Sequence, residues 1–353
     1  MNQIFKGRIY KRFLLGYIST VLLIALNCCD PVVNVQIGQN NAIWTESFYL
    51  RGYRPSTFQK LTNSDIKEYA ETLKNNNIRY SYLFAGPYSK DGHLPKFAFS
   101  DIAINSVKLL KKYYPGIIIL PWVGGIQNKT VHLEDSIWVN NALADSKRLI
   151  ETLSVSGLHL DFEYILKDDS FLDLTIDKEK PGDMENYGNN VNEFHRKLRT
   201  LMPETFISAV VTATSPGTKP WKRKTKLEEL KVLVKYINQL SFLYYDTYID
   251  NQPDFEKNCI YLVNDIQSLK HSEKRPNVQY LIAIGTFINI RELQKYRNLG
   301  IENIPNSLKT IKRSILNVNP NEQIVDGISI FCDWQTDKSE WKQIYKYWTN
   351  ETR

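Results

Sequence analysis

A chain of 353 residues has room for one large domain or two small ones and can bury a full-sized core. Its formal charge of +7 is concentrated at the start, where Lys6, Arg8, Lys11 and Arg12 supply four charges and leave +3 for the remainder. So small a residual charge gives no reason to expect nucleic acid as a partner. Beyond residue 29 only Cys259 and Cys332 remain, which excludes a disulfide framework. Both are expected to be buried as small apolar residues.

In chain order, the basic start is followed by an apolar run from Phe13 to Leu26 that ends at Asn27-Cys28-Cys29. This is the layout of a bacterial secretory signal. Cys28 is the expected site of lipid attachment, although Leu26 and Asn27 stand where a small residue usually precedes the acylated cysteine. A plain membrane anchor at the amino terminus is the alternative. Either form implies export to the cell envelope, with the chain held on a bacterial membrane. Residues 1–28 are thus expected to be the signal, 29–40 a tether and 41–350 the folded domain.

Apolar runs rich in β-branched and aromatic residues then recur at intervals of about 35 to 45 residues. They predict strands at Ala42 to Tyr49, Ile78 to Phe84, Gly116 to Val123, Gly157 to Tyr164, Phe206 to Thr212, Leu240 to Tyr245, Tyr280 to Thr286 and Gly327 to Asp333. Helical patterns lie between them. Asn63-Ser64-Asp65 and Asp135-Ser136 carry helix-start chemistry, and Glu228 to Asn238 has apolar residues at helical spacing. Eight strands alternating with helices predict an α/β fold, a closed (β/α)8 TIM barrel in a single domain. An open doubly wound sheet is the other architecture this alternation permits.

Within that order, Gly157-Leu158-His159-Leu160-Asp161-Phe162-Glu163 alternates strictly. Strand geometry sends Leu158, Leu160 and Phe162 to one face and His159, Asp161 and Glu163 to the other. The backbones of Asp161 and Glu163 then stand roughly 6.6 Å apart, by the rise of a strand. Two acids in a packed interior are costly unless paired, hydrogen-bonded or protonated. Such arrangements cluster where an acid has to work near neutral pH.

This stretch resembles the fourth-strand signature DGxDxDxE of family-18 glycoside hydrolases, the chitinase and endo-β-N-acetylglucosaminidase group. Gly157, Asp161 and Glu163 fall on its glycine, third aspartate and glutamate, whereas Ser156 and His159 replace its first two aspartates. Further stretches agree in order. Trp122-Val123-Gly124-Gly125 resembles SxGG, Leu243-Tyr244-Tyr245-Asp246 resembles MxYD, and Gly327 to Phe331 resembles GxxxW with Phe331 in place of the tryptophan.

The resemblance implies that Glu163 is the general acid. It implies that Asp161 orients the substrate's 2-acetamido group, whose oxygen attacks the anomeric carbon, and that Tyr245 donates to the same group. No enzyme carboxylate is then the nucleophile, the substrate-assisted exception among glycosidases. His159, Asp246, Phe331, Trp334, Trp122 and Phe84 are the expected sugar contacts, with Trp44 a further stacking candidate. His159 is expected either to hydrogen-bond Asp161 as a neutral ring or to hold it ionised as a cation. The partner implied is an oligosaccharide or polysaccharide containing N-acetylglucosamine.

Lys222-Arg223-Lys224, beside Trp221 in the loop after the fifth strand, is expected to be a solvated face, with contact to an anionic glycan or envelope phosphate as the alternative. The sequence shows no zinc ligand set and no phosphate loop, so no metal and no cofactor are expected. A catalytically silent, lectin-like barrel is the alternative function, since the first two motif aspartates and the tryptophan are replaced.

Overall fold

The structure is a computed structural model describing residues 38–166, 184–213, 218–219, 221–272, 277–288 and 296–349. The expected signal, Cys28 and most of the tether lie outside the described residues. Strand segments run β1 (Asn41–Thr45), β2 (Ile78–Pro87), β3 (Ile118–Ile119), β4 (Trp122–Ile126), β5 (Gly157–Glu163), β6 (Phe206–Thr212), β7 (Gln239–Leu243), β8 (Gln279–Gly285) and β9 (Gly327–Phe331). Every neighbouring pair is parallel. β1 pairs with both β2 and β9, which closes the sheet.

β3 and β4 form one stave, interrupted at Leu120-Pro121, because both pair with β2 in successive registers. Proline has no N–H to give the ladder. The result is a closed eight-stave parallel barrel wrapped by helices, a (β/α)8 TIM barrel, and the open-sheet alternative is excluded.

Several boundaries follow from local chemistry. α2 (Asn63–Asn75) opens on a capping box in which Thr62 and Asp65 satisfy each other's backbone N–H. α3 (Ser136–Leu153) opens on Asp135, whose carboxylate accepts from the N–H groups of Ile137 and Trp138. The first strand is shorter than its sequence predicts. It stops at Thr45, and Phe48–Arg51 is a helical turn, α1, closed by Gly52 at φ 82°. Arg51 N–H donates to Ser47 O at 2.7 Å and Gly52 N–H to Phe48 O at 2.9 Å, helical bonds that turn the chain away from the ladder and seat Phe48, Tyr49 and Leu50 in the core. The helix expected over Glu228 to Asn238 ends early, as α4 (Leu227–Leu233). There the bonds from Lys235 N–H to Val232 O and from Tyr236 N–H to Leu233 O tighten the chain toward β7.

The core is divided by the sheet. Leu158, Leu160 and Phe162 of β5 join the outer core beneath the helices. Trp44, Tyr82, Leu243, Tyr245, Leu281 and Ala283 fill the inside of the barrel. Cys259 and Cys332 are fully buried free thiols. Among the described residues no helix is long and apolar enough to cross a membrane.

One contact fixes the register that aims β5. Gly124 lies opposite Asp161, and a Cβ built on Gly124 would sit 1.9 Å from the Asp161 carbonyl oxygen. That oxygen is backbone and has nowhere to go. Gly124→Ala is therefore expected to cost at least about 2 kcal/mol, read as a lower urea midpoint. An unchanged midpoint would contradict the close approach.

Candidate functional site

The carboxyl ends of parallel barrel strands are where working groups collect, and β5 delivers three polar side chains toward the barrel axis there. They sit at different depths. His159 is deepest and wholly buried, its ring stacked on Tyr82 with centroids 3.7 Å apart and edge-on to Trp44 at 5.3 Å. Tyr82 O–H and Ser208 O–H both donate to Oε1 of Gln239, at 2.5 and 2.8 Å. The Ser208 oxygen, 2.8 Å from His159 Nδ1, is therefore an acceptor, and Nδ1 carries the imidazole proton. Burial pushes the His159 pKa well below its ordinary value. The ring is neutral.

The expectation that His159 touches sugar is thus corrected. A residue covered by Tyr82 and Trp44, with its one ring N–H given to Ser208, belongs to the floor, and it neither bonds nor ionises Asp161. Trp44, at 1% exposure, belongs to the same floor and offers no face for stacking.

One turn of the pleat higher, Asp161 accepts the indole N–H of Trp122 at 3.1 Å. Trp122 stands where the SxGG pattern has serine, and its indole reaches from the neighbouring strand, whose Cα pairs with His159. Burial, and next the charge of Glu163, raise the Asp161 pKa to about 7. Lys222, the Trp122 hydrogen bond and Lys219 pull against that rise. Glu163, at the mouth, has its side chain 22% exposed and forms an ion pair with Lys222, whose side chain is 10% exposed. Of the two acids, Asp161 is the one whose pKa is raised, and Glu163, the acid expected to work, is held by a cation.

Tyr245 follows β7 and faces inward, packed face to face on Phe331 with centroids 5.2 Å apart and edge-on to Phe287. Burial, then the charges of Asp161 and Glu163, raise its pKa well above the usual tyrosine range, so its hydroxyl remains a donor. Its neighbour Tyr244 turns the other way and donates to the carbonyl of Phe255. Trp334 packs edge-on against Phe331 at 5.6 Å. Phe84 does the same against Trp122 at 4.7 Å. Phe84, Trp122, Phe331 and Trp334 are all partly exposed and form an aromatic rim. Asp246 is occupied: it pairs with Lys219, and both side chains are 1% exposed. A sugar hydroxyl reaches it only if that ion pair opens.

Lys219 and Lys222 are the functional groups that sequence reasoning did not place. Lys222 was grouped with a solvated basic face, and the structure corrects this by dividing the cluster. Lys222 turns to Glu163, Arg223 pairs with Glu229 in a half-buried fork, and Lys224 donates to Thr218. The available signal was position, since this loop follows β6 at the carboxyl end of the barrel. Among the described residues no cluster of His, Cys, Asp and Glu suits a metal ion.

No family model matches this sequence, and no curated protein does. Solved structures match in fold. The chain is similar to the Bacillus cereus spore cortex-lytic enzyme SleL, at 10% identity and TM-score 0.56, over 88% of this chain and 74% of that one. It is similar to the Ostrinia furnacalis Group IV chitinase in complex with allosamidin, at 12% identity and TM-score 0.55, over 89% of this chain and 99% of that one. The catalytic domain of a family GH18 chitinase from the fern Peteris ryukyuensis matches at 12% identity and TM-score 0.52, over 89% and 99%. The barrel is thus of the type found in family-18 chitinases.

Two outcomes follow from the carboxylate geometry. Removing the indole donor by Trp122→Phe should move the Asp161 titration above about 7, followed by carboxyl ¹³C NMR, because that hydrogen bond lowers it. An unmoved or lowered midpoint would show that the bond does not act on Asp161. The second outcome concerns stability. The folded pKa of Asp161 lies above its ordinary 3.8, so its contribution is full below that value and is lost as pH rises to about 7. Asp161→Asn should therefore gain in urea midpoint relative to the wild type on going from about pH 4 to about pH 8. A difference constant with pH would contradict the raised value.

Proposed function

We propose that the chain is a divergent glycoside hydrolase of the family-18 type, acting on glycans with β-linked N-acetylglucosamine. The observation that carries this reading is the pair Asp161 and Glu163 on the inward face of β5, with Asp161 titrating at about 7 beside Tyr245. The aromatic rim supplies flat apolar faces of the kind on which sugar rings pack.

In this reading the acetamido group enters between Asp161 and Tyr245. Its N–H meets the Asp161 carboxylate and its carbonyl oxygen, polarised by the Tyr245 hydroxyl, attacks the anomeric carbon of its own sugar. Glu163, parted from Lys222, takes the proton held by Asp161, gives it to the departing glycosidic oxygen and afterwards takes one from water, so that Asp161 is the carboxylate that meets the N–H. Help of this kind is typically worth about 10²- to 10⁴-fold. For Glu163 to act as the acid, its ion pair with Lys222 has to open, so binding and the opening of that pair are one event.

The same ion pair, with phenylalanine at position 331, supports a second reading, a glycan-binding barrel without turnover. A fluorogenic chitobioside separates the two. Hydrolysis by the wild type that falls at least about 100-fold in Glu163→Gln, and that a thiazoline analogue inhibits, is the outcome expected of the hydrolase. Binding of the glycan with no turnover above background in either protein would leave only the lectin-like reading.

Export on a lipid attached to Cys28 is part of the same proposal, supported by the basic start and the apolar run before Asn27-Cys28-Cys29. Labelled palmitate should enter the wild type and be absent from Cys28→Ala. Equal labelling would place the lipid elsewhere, and no labelling of either would remove it.

A further inference from the structure

The loop that follows β6 is fastened along the end of β5. Leu166 N–H donates to Trp221 O and Arg223 N–H to Tyr164 O, framing a bridge between Ile165 and Lys222. Trp221 is 4% exposed and stacks on Tyr296 with centroids 3.6 Å apart. The loop's cations are therefore positioned groups. Four of them stand within a few residues, and three have an acidic partner: Lys219 has Asp246, Arg223 has Glu229 and Lys222 has Glu163. Lys224 is half-buried and meets the hydroxyl of Thr218, and among the described residues it meets no carboxylate.

Among the described residues charge compensation at this site is thus one anion short, and it becomes two short when Glu163 leaves Lys222 to act. A buried ammonium deprived of its partner is costly, by about 3–5 kcal/mol when a buried pair is broken. A neutral sugar supplies nothing to offset that. Burial and the charge of Lys222 already draw the Lys224 pKa down to about 8, as expected where positive charge is crowded.

We propose that the site, taken as the amino-sugar site described above, selects glycans that carry a carboxylate on the sugar, and that Lys222 and Lys224 receive it. The incoming carboxylate replaces Glu163 as the partner of Lys222 and gives Lys224 the anion it lacks. Glu163, freed in the same movement, takes the proton held by Asp161 and turns toward the glycosidic oxygen. Lys222 is then a specificity residue that restrains the acid until the acidic substrate arrives.

The test is a calorimetric titration of the full chain near pH 7 with two ligands, each checked for integrity by mass spectrometry. One is a β-1,4-linked amino-sugar tetrasaccharide bearing 3-O-lactyl carboxylates, and the other is the same molecule with those carboxylates amidated. The acidic ligand should bind about 10-fold or more tightly, by a margin that shrinks as salt is added. Lys222→Met and Lys224→Met should each remove most of that margin, and Lys224→Arg should keep it. Equal affinity for the two ligands would overturn the carboxylate preference and leave the glycan site standing. A preference indifferent to both methionine replacements would also overturn it, by placing the anion elsewhere. Binding of neither ligand would overturn the glycan reading and this proposal with it.

Discussion

Two carboxylates two residues apart on one barrel strand cannot both remain charged and unaccompanied in a closed interior. The neighbourhood of Asp161 and Glu163 is organised around that constraint. Asp161 takes a neutral donor, the Trp122 indole, and shares a proton with the surroundings at about pH 7. Glu163 takes a cation, Lys222. Lys222 in turn brings a loop whose other cations need partners of their own, so the acid pair on β5 determines groups as distant in sequence as Asp246 and Glu229.

Depth divides the labour along the barrel axis. At the bottom, His159, Tyr82, Ser208 and Gln239 form a hydrogen-bonded plug. Above it, buried Tyr245 and partly buried Asp161 face the partly exposed Trp122, Phe331 and Trp334. At the mouth, the Glu163–Lys222 ion pair joins a strand to a loop. A strand end held by the parallel ladder is rigid, whereas a loop closed by an ion pair has a second state available when the charge on either partner changes. Selectivity built on charge belongs at that junction.

Much of this was legible in the chain. Strict alternation from Gly157 to Glu163 assigned each side chain of β5 to its face, because a parallel strand between helices and a barrel interior has only two faces to offer. The caps at Thr62 and Asp135 were readable because they join residues a turn apart. Alternation also settles that one of Tyr244 and Tyr245 turns inward, and the register with β8 makes it Tyr245.

Pairings across long separations were not legible. Lys222 meets Glu163 across 59 residues and Trp122 meets Asp161 across 39, and no local pattern encodes either contact. His159 was misjudged for a related reason. Its face was known but its depth was not, and depth decides whether a polar side chain meets ligand or floor. The expected first strand overruns because apolar, aromatic residues at 48 to 50 suit a strand by composition, whereas the bonds from Arg51 and Gly52 N–H back to Ser47 and Phe48 make a helical turn there.

A crystal structure of the protein with a thiazoline analogue of N-acetylglucosamine bound tests the central relation most directly. The analogue should lie in the barrel mouth with its ring nitrogen within hydrogen-bond distance of an Asp161 carboxylate oxygen, its ring over Phe331 or Trp334, and Glu163 parted from Lys222. An analogue seated outside the barrel, or a mouth that stays closed with the ion pair intact at saturating ligand, would contradict the assignment of Asp161 and Glu163 to a sugar-processing site.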